Sequence, residues 1–176
     1  MSGQNCRGDI SEETVRLTFL MNDPHPTSDP GPKAEDEPST PSTRGPGVMD
    51  RSRQLAAAAA GVAIANKGTD VVVLDVSEQT ALFDYFVIAT GTSRRQLHAI
   101  SAEIDDVLQK DLGDRRLGIE GYEESRWIVL DYGNIVIHLF DEETRAYYDL
   151  ESLWADARVV PLADLGLTET RSPSNH

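Results

Sequence analysis

Gly91-Thr92-Ser93 stands where a β-branched run gives way to a helical repeat, and it is the best place in this sequence for chemistry. The backbone amides of such a strand–turn–helix junction could hold a phosphate. Nucleotidyl transfer there would also need spaced carboxylates on a following strand, to hold two divalent ions about the phosphate. That strand offers Asp131 alone, with Gly133 where a second acid would be useful. Asp75 and Asp84 are isolated acids at strand ends, the usual place for solvated or capping side chains. His138 and Asp131 share one face of a hairpin, as a general base and its orienter would. Neither a nucleophile nor a metal site accompanies them, so a contact role is expected instead.

Walker, G-x-G-x-x-G, G-x-S-x-G and H-E-x-x-H signatures do not occur. Cys6 is the one cysteine, which excludes an intramolecular disulfide and a multi-cysteine metal cluster. His25, His98, His138 and His176 form no H-x-x-x-H pair, so no structural zinc site is expected. The reading is a binding protein with no catalytic residue, no cofactor and no metal. A nucleotidyltransferase-type enzyme is the catalytic alternative.

Charge narrows the partners. The 176 residues carry 16 Lys and Arg against 30 Asp and Glu, a net charge of −14. Affinity for nucleic acid comes largely from cations that release the counterions around phosphates. An acidic chain lacks that term and is repelled at long range by RNA or an anionic membrane. Arg94-Arg95 and Arg115-Arg116 are the only paired cations in the folded part, and both pairs read as solvated surface. Direct sequence-specific nucleic-acid binding is therefore not expected. Met1–Ile10 has no basic region followed by an apolar run, and no stretch approaches the roughly 20 apolar residues of a membrane span. A cytoplasmic protein without membrane contact is expected.

Seven of the nine prolines lie between Pro24 and Pro46, among Ser, Thr, Gly, Asp and Glu. Such a segment buries too little apolar surface to offset the entropy of ordering it. We read 1–48 as a disordered, acidic, proline-rich tail, with an apolar patch at Val15–Met21, 49–166 as one folded domain, and 167–176 as a flexible C-terminus. Most of the acidity belongs to the domain, where 11 Lys and Arg face 21 Asp and Glu.

Within the domain, Ser52–Asn66 is an alanine-rich helix with Leu55, Ala59, Val62 and Ala63 on one stripe, stopped by Lys67-Gly68. Asp70–Val76 and Asp84–Thr90 are buried strands. The eight or so residues between them are too few for a helical crossover, so the two should pair antiparallel. After Gly91, Thr92 or Ser93 caps a helix bearing Leu97, Ile100, Ile104, Val107, Leu108 and Leu112. Leu117–Glu120 is a weak strand, and the strand–helix–strand unit predicts a parallel pair.

Trp127–Tyr132 and Ile135–Phe140 flank Gly133-Asn134, a tight-hairpin signal. A two-residue loop fixes the register, so the facing pairs follow by counting. Tyr132 faces Ile135, Leu130 faces Ile137, and Ile128 faces Leu139, all apolar and all core. On the other face Asp131 meets Val136, Val129 meets His138, and Trp127 meets Phe140. This second face either is covered part of the time by a partner or lies under a helix of the same chain. Asp141 then caps a last helix through Tyr148, and a turn carries Leu150, Leu153 and Trp154. The fold class is α/β, with a mixed sheet of four or five strands and flanking helices.

Asp84–Ser93 (DYFVIATGTS), Arg95, His98-Ala99-Ile100, Glu120-Gly121, Trp127–Phe140 (WIVLDYGNIVIHLF), Glu143-Thr144-Arg145 and Tyr147–Trp154 (YYDLESLW) resemble, in order and spacing, the motifs of Iojap-like ribosomal silencing factors. The resemblance covers about 115 residues. It implies a fold related to nucleotidyltransferases without their metal acids. It further implies a translation repressor that binds the large ribosomal subunit through its fourteenth large-subunit protein. By occupying that place the repressor keeps the small subunit from joining, which lowers translation under nutrient limitation. A homodimer when free and, as an alternative, a large-subunit assembly role are also implied. Asn134 stands where the family usually has Asp, Arg94-Arg95-Gln96 replaces a more usual single arginine followed by His, and the tail has no counterpart. We expect the partner contact at Trp127, Asp131, Tyr132, His138 and Phe140, with Asp84 near the end of the face.

Overall fold

The computed structural model describes residues 45–168. The expectations for 1–44, including the patch Val15–Met21, and for 169–176 lie outside the described residues. The first helix, α1 (Pro46–Ala65), begins with Pro at its first turn, where a missing N–H costs nothing. It therefore starts six residues before the expected Ser52. Its buried Ala56, Ala59, Ala60 and Ala63 carry no bulk, which lets the helix lie close on the sheet.

Six strands form one mixed sheet in the order β3-β4-β5-β2-β1-β6. They are β1 (Thr69–Asp75), β2 (Tyr85–Gly91), β3 (Gly118–Glu120), β4 (Trp127–Asp131), β5 (Ile135–Asp141) and β6 (Arg158–Val160). β1 and β2 pair antiparallel, as their short connection requires. The hairpin β4–β5 has the counted register, with Leu130 opposite Ile137, Val129 opposite His138 and Trp127 opposite Phe140.

Two expectations need correction. Leu117–Glu120 is not the parallel neighbour of β2; β5 takes that place, and β3 pairs with β4 at the sheet edge. The cause is composition. β5 is buried on both faces and belongs in the middle, whereas a three-residue strand ending in the exposed Glu120 suits an edge. The sheet also has six strands rather than four or five, because Arg158–Val160 adds to β1 at the other edge.

One face of the sheet packs on α1 and α2 (Arg94–Asp106), which runs on as a π-helical turn over Val107–Asp111. Leu97, Ile100, Ile104 and Leu108 from α2 and its extension meet Ile128, Leu130, Ile135, Ile137 and Leu139 in this larger core. A thinner layer covers the other face. It consists of α3 (Glu142–Tyr148), α4 (Leu150–Leu153) and the loop that carries Phe83, packed on Phe86, Ile88, Trp127, Val129, Val136 and Phe140.

Candidate functional site

Two amides of the turn that could have held a phosphate are engaged within the chain. Ser93 caps α2 by accepting from the Gln96 amide at 3.2 Å, and the Thr92 amide donates to Gln96 Oε1 at 2.7 Å. Gly91 serves packing, since a Cβ there would sit 2.6 Å from Cδ2 of the buried Leu97. The nearby acids are equally occupied. Asp131 Oδ1 accepts from the Gly133 amide at 2.7 Å and shapes the hairpin turn. Asp75 accepts from Ser77 and pairs with Arg158 at 2.8 Å. Among the described residues no three His, Cys, Asp or Glu side chains are grouped to hold a metal ion.

The six expected contact residues do not form one open face. Asp84 is buried at the start of β2 and accepts from Ser52 Oγ at 2.6 Å, which ties it to α1. Tyr132 points into the larger core, where it donates to Asp105, and burial pushes its phenol up to about 12. Asp131 is half-buried at the turn. Trp127, His138 and Phe140 do share the second face, and the structure chooses between the two readings of that face. A helical segment of the same chain covers it.

The geometry beneath that cover is tight. Trp127 is 2% exposed and stacks on Phe140 with centroids 4.8 Å apart. Its indole Nε1 donates to His138 Nδ1 at 3.2 Å. An acceptor Nδ1 puts the His138 proton on Nε2, which has no hydrogen-bond partner among the described residues. Burial holds the imidazole down to about 3, so it is neutral at physiological pH and a poor base. Phe86 stands edge-to-face against both His138 (5.2 Å) and Trp154 (5.0 Å), and Tyr148 leans on Trp127 at 4.9 Å.

Local sequence explains the cover. Asp141 caps α3 by accepting from the Thr144 amide at 2.7 Å. Burial alone would raise the Asp141 carboxyl, but Thr144 and Arg126 outweigh it and hold it below the usual carboxylate range. Asp149 then takes the left-handed conformation (φ 43°) and turns the chain into α4. The pairs Thr144/Tyr148 and Leu150/Trp154, four apart, press down on the sheet. That spacing is the signal for this cover, a helix through Tyr148 and then a turn carrying Leu150 and Trp154; what it leaves out is the face of the sheet on which they close. Arg145 fastens the corner. Its Nε donates to Glu151 Oε1 at 2.9 Å, and its Nη1 donates to Thr90 Oγ1 at 2.7 Å and to the Asp70 carbonyl at 2.6 Å. Exposing Leu150 and Trp154 would cost about 1.5–3 kcal/mol apiece. On the outer side of this segment Tyr147 is 81% exposed among Glu142, Glu143 and Asp149.

A family model for "Ribosomal silencing factor during starvation" matches residues 49–176. The chain belongs to the ribosomal silencing factor family. Over 99 residues it is 40% identical to Ribosomal silencing factor RsfS of Bacillus subtilis, spanning 56% of this chain and 80% of that protein. A crystal structure of a protein from Chromobacterium violaceum superposes with a TM-score of 0.54 at 32% identity, over 70% of this chain and 96% of the other. A mouse relative, "Mitochondrial assembly of ribosomal large subunit protein 1", is 40% identical over 87 residues, 48% of this chain and 38% of its own length. Family membership agrees with the order of motifs from Asp84 to Trp154. No described helix is long and apolar enough to cross a membrane.

Proposed function

We propose that this chain represses translation by binding the large ribosomal subunit through its fourteenth large-subunit protein, and by standing where the small subunit must join. Membership of the silencing-factor family carries the reading. The surface chemistry supports it, because an acidic domain suits a basic ribosomal protein and is repelled by the surrounding RNA. Repression then requires bulk in the right place and no bond-making step. In this reading the protein acts in the cytoplasm and pairs with a second copy when free. Trp127, His138 and Phe140 serve the contact from beneath, as the seat of the segment 142–157, and Asp131, Tyr132 and Asp84 fix the strand ends around it.

Light scattering of purified subunits tests the proposal directly. Pre-incubating large subunits with a small molar excess of the protein should suppress joining when small subunits are added. Joining at an unchanged rate and extent, with the protein bound or not, rejects the repressor. The name of the mouse relative favours a second reading, large-subunit assembly. A deletion strain separates the two, since lost assembly leaves immature free large subunits and lost silencing leaves mature ones.

A further inference from the structure

Three exposed apolar side chains from three elements gather at the end of the domain where the parallel strands β2 and β5 begin. Val48 (43% exposed) stands in the first turn of α1, Leu82 (58%) in the loop before β2, and Leu117 (72%) just before β3. Hydrogen bonds tie these elements to one another. Ser52, one turn on from Val48, donates to Asp84 Oδ2 at 2.6 Å, and the Asp84 amide donates to the Asn134 carbonyl at 2.7 Å. Leu117 lies over the same hairpin turn, with its Cδ1 3.3 Å from where a Cβ on Gly133 would stand. Arg51 closes the ring by donating to the Leu112 carbonyl and pairing with Asp114 at 3.7 Å. Single exposed apolar residues are ordinary, whereas several around one turn mark a surface that something covers.

The chain itself brings an occupant. Residues 1–44 join the domain at Gly45, whose carbonyl accepts from the Val48 amide at 2.9 Å, so they depart beside this group. Within them Val15, Leu17, Phe19 and Met21 alternate with Arg16 and Thr18, which gives one apolar edge when extended. Asn22–Arg44 is a tether of 23 residues, with a reach of ~25 Å even as a random coil. A flexible link on this scale holds its cargo at a roughly millimolar effective concentration, so a weak contact suffices. Charge points the same way. Glu12, Glu13 and Asp23 flank the apolar stretch, and a domain with more acids than bases repels them over most of its surface. Beside Leu117, however, Arg115 is exposed with no ion pair among the described residues.

We propose that Val15–Met21 docks on the patch made by Val48, Leu82 and Leu117, so that this end of the domain is a binding site for an apolar segment of the same chain. The site lies at the start of β2, at the other end from Thr90, where Arg145 fastens the α3–α4 corner. It stands independently of the ribosomal reading.

Paramagnetic broadening in the full chain tests it. With Cys6→Ser and Asn22→Cys, a nitroxide is carried next to Met21 in the sequence. The amides of Val48, Leu82, Gly118 and Gly133 should then broaden. Adding Phe19→Asp should abolish the excess and leave only what the tether alone causes near Gly45. Leu82→Ser combined with Leu117→Ser should abolish it too, with an unchanged urea midpoint confirming the fold. Equal broadening with and without Phe19→Asp would overturn the docking. A Phe19-dependent excess centred elsewhere on the domain would overturn the site. Broadening of an isotope-labelled copy by the nitroxide of a second copy would make the occupant a neighbour's segment and overturn the intramolecular assignment.

Discussion

His138 shows how little a residue type says about its task once the surroundings are known. Beside Asp131 on one hairpin face it could be imagined as a base, yet burial holds it near 3 and the Trp127 indole occupies its Nδ1. The imidazole is a neutral filler with one acceptor in use. A pH dependence of stability follows. Its folded value is depressed below the unfolded value, so below about pH 6.5 the unfolded chain takes up a proton that the folded chain refuses. Stability is therefore fully present above pH 6.5 and falls as the pH drops toward 3. For a single proton the slope is at most about 1.4 kcal/mol per pH unit. Urea melts of wild type and His138→Phe between pH 7 and 4 should converge as the pH falls, because the variant lacks this proton. Parallel pH profiles would show that His138 is hydrated in the folded state. None of this was legible from position 138 alone, because Leu150 and Trp154, which help to dry the site, lie at least twelve residues on.

Elements were readable where the local rule was strong. Gly133-Asn134 between two apolar runs fixed every pair of the β4–β5 hairpin, and Asp141 and Ser93 proved to be the caps of α3 and α2. Reading failed where tertiary contacts decide. Gly118–Glu120 was legible as a weak strand but not its pairing with β4, and Arg158–Val160 was not legible at all; at three residues each, both are too short to show alternation and form where β4 and β1 offer an edge. The segment 142–157 was legible as a helix through Tyr148 and an apolar turn, but its folding over Trp127 and Phe140 rests on tertiary packing and on the left-handed Asp149 between its two short helices. Arg145 is the residue on which that junction depends. Arg145→Gln would unpair Glu151 and leave Thr90 Oγ1 and the Asp70 carbonyl short of a donor. Losing charged hydrogen bonds in a half-buried site should lower stability by about 1.5–3 kcal/mol. The loss should appear first as faster amide exchange in 142–157, with the hairpin following. Uniform exchange across the domain would mean that the corner is not a separate unit.

Over the whole molecule the dominant quantity is charge. Under the proposed docking onto a basic protein within an RNA particle, a net charge of −14 makes association, rather than dissociation, the step sensitive to salt. Stopped-flow binding to large subunits should show the on-rate falling about tenfold or more between low and ~0.5 M salt, as the Debye length shrinks to a few ångströms. The off-rate should move far less, and an on-rate indifferent to salt would remove electrostatic steering from the account. The arrangement of the layers has a bearing on experiments of this kind. α1 and the turn Leu162–Leu165 lie together on the helical side, where Arg53 donates to the Asp164 carbonyl at 2.9 Å and Leu167 reaches Gly61. Both ends of the described chain thus depart from the side of the sheet opposite Tyr147. A dye attached through Leu167→Cys, next to Gly61 on that side, would sit on the side of the sheet opposite Tyr147.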